Sequence, residues 1–247
     1  MRQLTLLLFL LLIPAYLHAD VPEELLTIKQ ATQILSGIEG EVISVENTEV
    51  PGFFLVGMKM QGQIVPLYLD KSGSFLFSGN VIDLTKRKNL TEDHFAKLNP
   101  INVSEIPLEN ALLLGKPEAS QQTIVFTDPD CPYCSKLHKV LLEAVKANTD
   151  LAFQIIVTPL KESSYQTAKT ILCNKSMDQL EQALAGTSLS VTACDTNAVD
   201  DNKALASSLG IRGTPTLILP NGQLKPGYRP LNELLELIKN NEAKAIN

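Results

Sequence analysis

The sequence is poor in several things at once. It holds four cysteines and three histidines, has no second C-x-x-C beside Cys131-Pro132-Tyr133-Cys134, no excess of basic residues, and no long apolar run after its first twenty residues. Each shortage removes a class of protein. With no later apolar stretch of spanning length, nothing past the N-terminus reads as a membrane helix. With 21 Lys and Arg against 27 Asp and Glu, a net charge of -6, and no basic cluster of weight, nucleic acid is not an expected partner. The acidity otherwise speaks only for solubility. A closed zinc site would need Cys131 and Cys134 to recruit two ligands from His94, His138, Cys173 and Cys194, which lack ligand spacing, so no metal and no other cofactor is expected. Internal repeats and low-complexity segments are absent too.

What remains is a chain of 247 residues, 45% of them hydrophobic, enough for one large domain or two small ones. Part of the mean hydropathy of +0.08 comes from the first residues. Arg2, an apolar stretch over 4–13 and Leu17-His18-Ala19 before Asp20 have the layout of a secretory signal peptide, residues 1–19, with an uncleaved anchor as the alternative. No cysteine follows the apolar run, so a lipid anchor is not indicated. Loss of residues 1–19 removes Arg2 alone and takes the charge from -6 to -7, 20 basic residues against 27 acidic. Export fits cysteines used in an oxidising compartment.

After the signal, Pro22, Glu23 and Glu24 read as a helix start, with Leu25, Ile28, Ala31 and Leu35 at helical spacing. Strand-like runs follow at 41–45, 52–60, 64–69 and 74–77, with a turn at Asp70-Lys71-Ser72-Gly73. This predicts a small α+β module over residues 20–80, close to the lower size limit for standing alone. Its last strand, Ser74 to Ser78, has no obvious cover, and an open apolar edge tends to find another strand. Residues 81–107 read as a linker, with a helix carrying Phe95 and Leu98 that Thr91 can cap, and a basic run Lys86-Arg87-Lys88 on a solvated face. Residues 108–247 change character. Strands are predicted at 111–114, 123–126, 151–157, 216–219 and 223–225, helices after Cys131, over 162–185 and from Pro230, and a two-residue hairpin at Asn221-Gly222. A parallel start, an antiparallel hairpin and a closing helix is the order of an α/β thioredoxin-like domain with a helical insertion.

Cys131 falls at the N-cap of the helix that follows strand 123–126, and Pro132 at its first position, where a missing N–H costs nothing. Free backbone N–H groups and the positive helix end favour the Cys131 thiolate, the attacking species. Cys134, one turn on, is placed to attack a mixed disulfide at Cys131 and resolve it. His138 either supports the thiolate or is an exposed histidine, and Asp130 acts against the thiolate. Pro215, in Gly213-Thr214-Pro215-Thr216, is either a cis proline beside the motif or an ordinary proline at a strand start. Four cysteines allow three pairings. A bond between Cys173 and Cys194 would add roughly 3 kcal/mol in the chain-entropy picture, and a second redox relay is the alternative.

With these residues in view, the chain resembles the DsbC/DsbG family of thiol:disulfide interchange proteins. The likeness is densest from Val125-Phe126-Thr127-Asp128 to His138 and from Cys194 to Tyr228, with Leu209-Gly210-Ile211-Arg212-Gly213-Thr214-Pro215, Asn221-Gly222 and Pro226-Gly227-Tyr228 as hallmarks. The resemblance implies a periplasmic homodimer in which the N-terminal domains pair and a linker carries two catalytic domains. It implies Cys131 as nucleophile, Cys134 as resolving thiol, Pro132, Tyr133, Thr214 and cis Pro215 as support, and Cys173–Cys194 as a structural disulfide. It further implies misfolded disulfide-containing exported proteins as substrates and a membrane thiol donor that keeps the dithiol reduced. Pro132-Tyr133 looks like the DsbG side, the length and C-terminal half like DsbC. Isomerase is the expected activity; a DsbG-like chaperone or reductase, a DsbA-like oxidase and a holdase using Phe53, Phe54 and Met58 are the alternatives.

Overall fold

The computed structural model describes residues 26–242. The expected signal peptide, and the helix start at Pro22, lie outside the described residues. Helix α1 (Ile28–Ile34) starts instead at Thr27, which forms a reciprocal cap with Gln30: the Thr27 hydroxyl accepts from the Gln30 N–H, and the Gln30 side chain accepts from the Thr27 N–H at 2.8 Å. Strands β1 (Glu41–Asn47), β2 (Phe53–Met60), β3 (Gln63–Asp70) and β4 (Leu76–Phe77) form an antiparallel sheet in sequence order. Gln61 and Gly62, both at positive φ, make the tight turn between β2 and β3. The Asp70 carboxylate organises the next turn by accepting from the N–H groups of Ser74 at 2.8 Å and Phe75 at 2.7 Å.

Both faces of this sheet are covered. Ala31 of α1 and Leu35, its C-cap, pack with Val42, Val56 and Leu69. Consecutive strand residues point to opposite faces, so Tyr68 faces away from α1. There it meets helix α2 (Leu90–Leu98): its hydroxyl hydrogen-bonds Thr91 at 3.2 Å and its ring packs edge-on to His94. The stretch 81–107 thus holds a short hairpin, β5 (Ile82–Asp83) with β6 (Lys88–Asn89), a helix seated on the first sheet, and a 3-10 turn at Val103–Glu105. Asn89, not Thr91, caps α2, its side chain accepting from the Glu92 N–H; Thr91 is occupied instead with Val81 and the Gly79 carbonyl. Phe54 and Met58 are core residues, which removes them as an exposed binding surface. Among the described residues no strand pairs with the outer edge of β4, where Phe77 is 53% exposed and the preceding Phe75 66% exposed.

The second sheet contains β7 (Leu112–Gly115), β8 (Gln121–Thr127), β9 (Leu151–Val157), β10 (Thr216–Ile218) and β11 (Leu224–Pro226), in the order β11-β10-β8-β9-β7. β8 and β9 are parallel; the other neighbours are antiparallel. Helix α3 (Pro132–Ala147) makes the crossover between β8 and β9. Alternation along the strands divides the core: Val125, Ile155 and Leu217 pack under α3, while Ile124, Phe126, Ile156 and Ile218 face the other side with Ile211 and Ala206. The helical stretch expected over 162–185 is two helices, α4 (Glu162–Asn174) and α5 (Met177–Leu184). The chain breaks at Lys175 in the left-handed region, and Ser176 caps the restart. Helix α6 (Ala198–Ser208) was not anticipated, and α7 (Leu231–Lys239) closes the domain. The expected two-residue hairpin at Asn221-Gly222 is a longer connection, closed by a hydrogen bond from Leu219 N–H to Gln223 O.

A short segment joins the two sheets. The Asn99 side chain makes two hydrogen bonds to the backbone of Ile64, at 2.9 Å and 2.8 Å, and the Ile101 N–H donates to Gly222 O at 2.8 Å. Gly222, at φ 82°, leaves no room for a Cβ against the Ile101 backbone.

Candidate active site

Cys131 is the N-cap of α3 and Pro132 its first residue, with no side chain capping the helix. The free N–H groups of the first turn therefore converge near the Cys131 sulfur. Cys131 is partly exposed and Cys134 is buried, and both are free thiols. The Cys131 thiol donates to the Thr214 carbonyl at 3.4 Å, and the Thr214–Pro215 peptide is cis. The structure thus brings together Cys131, Pro132, Cys134, Thr214 and Pro215. Tyr133 projects into solvent, 59% exposed, under the Lys136 ammonium.

The two sulfurs differ in chemistry. Burial pushes the Cys134 thiol up to about 12, against a smaller opposing pull from the Asp128 N–H, which donates to its sulfur at 3.4 Å. The accessible sulfur at the helix start and the buried, protonated one therefore differ in reactivity.

Asp128 is not legible as a site residue in the sequence, and the sequence leaves the role of His138 open. Asp128 is buried at the end of β8, and its carboxylate accepts from the Leu160 N–H at 2.8 Å, the Ser164 hydroxyl at 3.1 Å and the Asp130 N–H at 2.9 Å. It pins the motif's approach to the loop before α4. The signal available was its place directly after an apolar strand. His138, expected to be either a thiolate support or exposed, is buried; its Nε2 lies 3.6 Å from Glu181 Oε1 of α5. It lines a narrow void with Cys134, Val125, Thr127, Leu137 and Ile155 that has no room for a water molecule. Burial lowers the His138 pKa, with Glu181 pulling the other way.

Cys173 and Cys194 are joined, with Cα atoms 6.0 Å apart, and the bond ties α4 to the irregular segment before α6. Among the described residues no cluster of His, Cys, Asp and Glu could hold a metal ion, and no helix is long and apolar enough to cross a membrane.

A parallel βαβ start, a cis proline and a C-x-x-C at a helix N-terminus define a thioredoxin-like thiol–disulfide oxidoreductase. Comparison with known proteins agrees: residues 108–242 match the thioredoxin-like domain, and residues 18–92 match the disulfide bond isomerase protein N-terminal domain. The chain is 27% identical over 196 residues to the thiol:disulfide interchange protein DsbC of Salmonella typhimurium, covering 78% of this chain and 81% of that protein. It is 28% identical over 175 residues to DsbC of Escherichia coli K12, covering 70% and 72%. A crystal structure of a disulfide interchange protein from Neisseria gonorrhoeae is 26% identical with a TM-score of 0.48, covering 56% of this chain and 100% of that one. The chain belongs to the thioredoxin-like family, carries a match to the DsbC-type N-terminal domain, and is similar throughout to thiol:disulfide interchange proteins.

Proposed function

We propose that this chain is an exported, homodimeric disulfide isomerase that also reduces wrong disulfides in exported proteins. Cys131 thiolate attacks a substrate disulfide, forming a mixed disulfide and releasing one substrate thiolate. If a different substrate thiolate attacks the substrate sulfur of the mixed disulfide, the substrate leaves with a new pairing and the dithiol stays reduced, whereas return of the released thiolate only restores the original bond. If Cys134 attacks instead, the substrate leaves reduced and Cys131–Cys134 must be re-reduced by a membrane thiol donor. Thr214 and Pro215 face the reacting sulfur, with Pro132 and Tyr133 shaping its surroundings, and Cys173–Cys194 is structural.

The observation that carries the isomerase reading is the open, aromatic edge of β4 on a separate N-terminal sheet, with Phe75 and Phe77 exposed. Such an edge is satisfied by its twin across a two-fold axis in a closed, isologous interface. Two thioredoxin-like domains would then face one cleft able to hold a misfolded chain. The corresponding domains are residues 1–19 as signal peptide, 20–80 as dimerisation domain, 81–107 as linker and 108–247 as catalytic domain. The location is the periplasm. The experiment is recovery of activity from a scrambled multi-disulfide protein. Full-length chain should raise the yield of native protein above that in glutathione alone, and a yield no better than glutathione overturns the reading.

A further inference from the structure

Burial of Cys134 poses a problem that the dithiol does not solve by itself. To release a substrate reductively, Cys134 must reach Cys131 as a thiolate, yet burial holds its pKa at about 12. At neutral pH the proton has to pass to a neighbouring group during the attack. Water does not fit in the void beside Cys134, and His138 is the one side chain lining that void that carries a base.

His138 follows Cys134 by one helical turn on the buried face of α3, the spacing at which side chains meet. It is 5% exposed, and its Nε2 makes no hydrogen bond, although Glu181 Oε1 is 3.6 Å away. The Glu181 side chain is 40% exposed, so its carboxylate opens the other end of the pair to solvent. The other surroundings are inert toward the imidazole. β8 presents Thr127 and β9 presents Ile155, while β7 carries no ionisable side chain. Asp128 spends its carboxylate on Leu160, Ser164 and Asp130. Helix α7 also packs on α3, but Glu181 is the charge that acts on His138. With its pKa lowered by burial, the imidazole is neutral at neutral pH and free to accept a proton.

We propose that His138, backed by Glu181, is a proton relay for the resolving thiol. The imidazole takes the Cys134 proton as the sulfur attacks Cys131 Sγ in the mixed disulfide, then passes it through Glu181 to solvent. The Cys131–Cys134 bond forms as the Cys131–substrate bond breaks. The departing substrate thiolate takes its proton from water, and the dithiol's two electrons have passed to the substrate disulfide. His138 takes its proton from the attacking sulfur and is a general base, while Glu181, which acts through His138, is the positioning residue. The inference rests on Cys131 being the nucleophile and Cys134 the resolving thiol.

The test mixes reduced full-length protein with a fluorescent peptide disulfide and follows the mixed disulfide by acid quench and alkylation, from about pH 5 to about pH 9. In His138→Gln, formation of the mixed disulfide keeps its wild-type rate. Its decay slows roughly tenfold or more at neutral pH, and the deficit shrinks as pH rises and hydroxide takes over. Wild-type decay at every pH, or a slowing that does not vary with pH, overturns the relay. Glu181→Gln, at a more exposed position, is the second variant. Its decay profile should inflect at lower pH, since loss of the carboxylate lowers the imidazole pKa further, and an unmoved inflection also overturns the relay. A wild-type protein that forms no mixed disulfide overturns the assignment of Cys131 as well, and shows itself before any variant is made.

Discussion

Lys225 on β11 and Asp93 on α2, 132 residues apart, meet at 2.7 Å across the junction between the two sheets. The other Asp93 oxygen takes Lys88, also at 2.7 Å. Burial alone would raise the Asp93 pKa, but hydrogen bonds from Lys225 and Lys88 and their charges outweigh it, and the net shift is downward. A carboxylate depressed in the folded state stabilises above its unfolded pKa and loses that contribution as pH falls through the folded one. The junction should therefore hold from neutral pH down to about pH 4 and weaken below it.

Asp93→Asn removes the charge at every pH and leaves the nearly buried Lys225 ammonium unpaired. The expected cost is about 1–3 kcal/mol in urea unfolding, together with faster proteolysis of the segment after α2 and a loss of the acid-dependent weakening below the ordinary carboxylate range. A variant with the wild-type cleavage rate and acid profile would show that the ion pair does not hold the junction.

Alkylation should separate the two active-site thiols. Cys131 reacts first, whereas Cys134, buried and held near 12, stays unmodified in the native protein until strongly alkaline pH. Cys131→Ser should bring scrambled-substrate refolding down to the uncatalysed background. Cys134→Ser should accumulate mixed disulfides visible on non-reducing gels. Equal alkylation rates for the two thiols at neutral pH would contradict the division of roles.

Cys173 and Cys194 should remain joined under mild reduction that leaves Cys131 and Cys134 free, as read by mass spectrometry after alkylation. With a sequence separation of 21, opening the loop in a Cys173→Ala, Cys194→Ala double variant should cost roughly 3 kcal/mol and leave exchange chemistry in place. Alkylation of Cys173 alongside Cys131 would count against a purely structural bond.

Phe77→Lys puts a charge on the open edge of β4 without disturbing the buried sheet. Sedimentation should report a monomer, and refolding of a scrambled substrate should fall while alkylation of Cys131 is unchanged. A Phe77→Lys protein that stays dimeric would place the interface elsewhere.

Much of this was legible in the sequence because it rests on local rules. The C-x-x-C at a helix start, the apolar runs of strands β2, β3 and β9, and the amphipathic α7 each carry their own signal. The misses are long-range. Helix α6 has the sequence Ala-Val-Asp-Asp-Asn-Lys-Ala-Leu-Ala-Ser-Ser, with small and acidic residues on a weak apolar stripe, and tertiary packing of Val199 and Ala206 decides it. The break at Lys175 and the cap at Ser176 split what periodicity reads as one helix. The step from Cys134 to His138 is local, but no spacing along the chain announces that Glu181 reaches His138 or that Asp128 holds the backbone of Leu160. The stretch 81–107 looks polar and mixed because α2 meets Tyr68 of the sheet through Thr91 and His94 rather than through an apolar stripe.

The joint between the sheets has almost no slack. Asn99 is clamped to Ile64, Ile101 is clamped to Gly222, and the single residue between them is Pro100, whose ring fixes its own φ. A tether of that length behaves as a welded bracket rather than a string. In a paired molecule, the gap between the two sulfurs would be set like the jaws of a caliper. The size of chain that fits between them would then be gauged by the bracket's angle before any bond is exchanged.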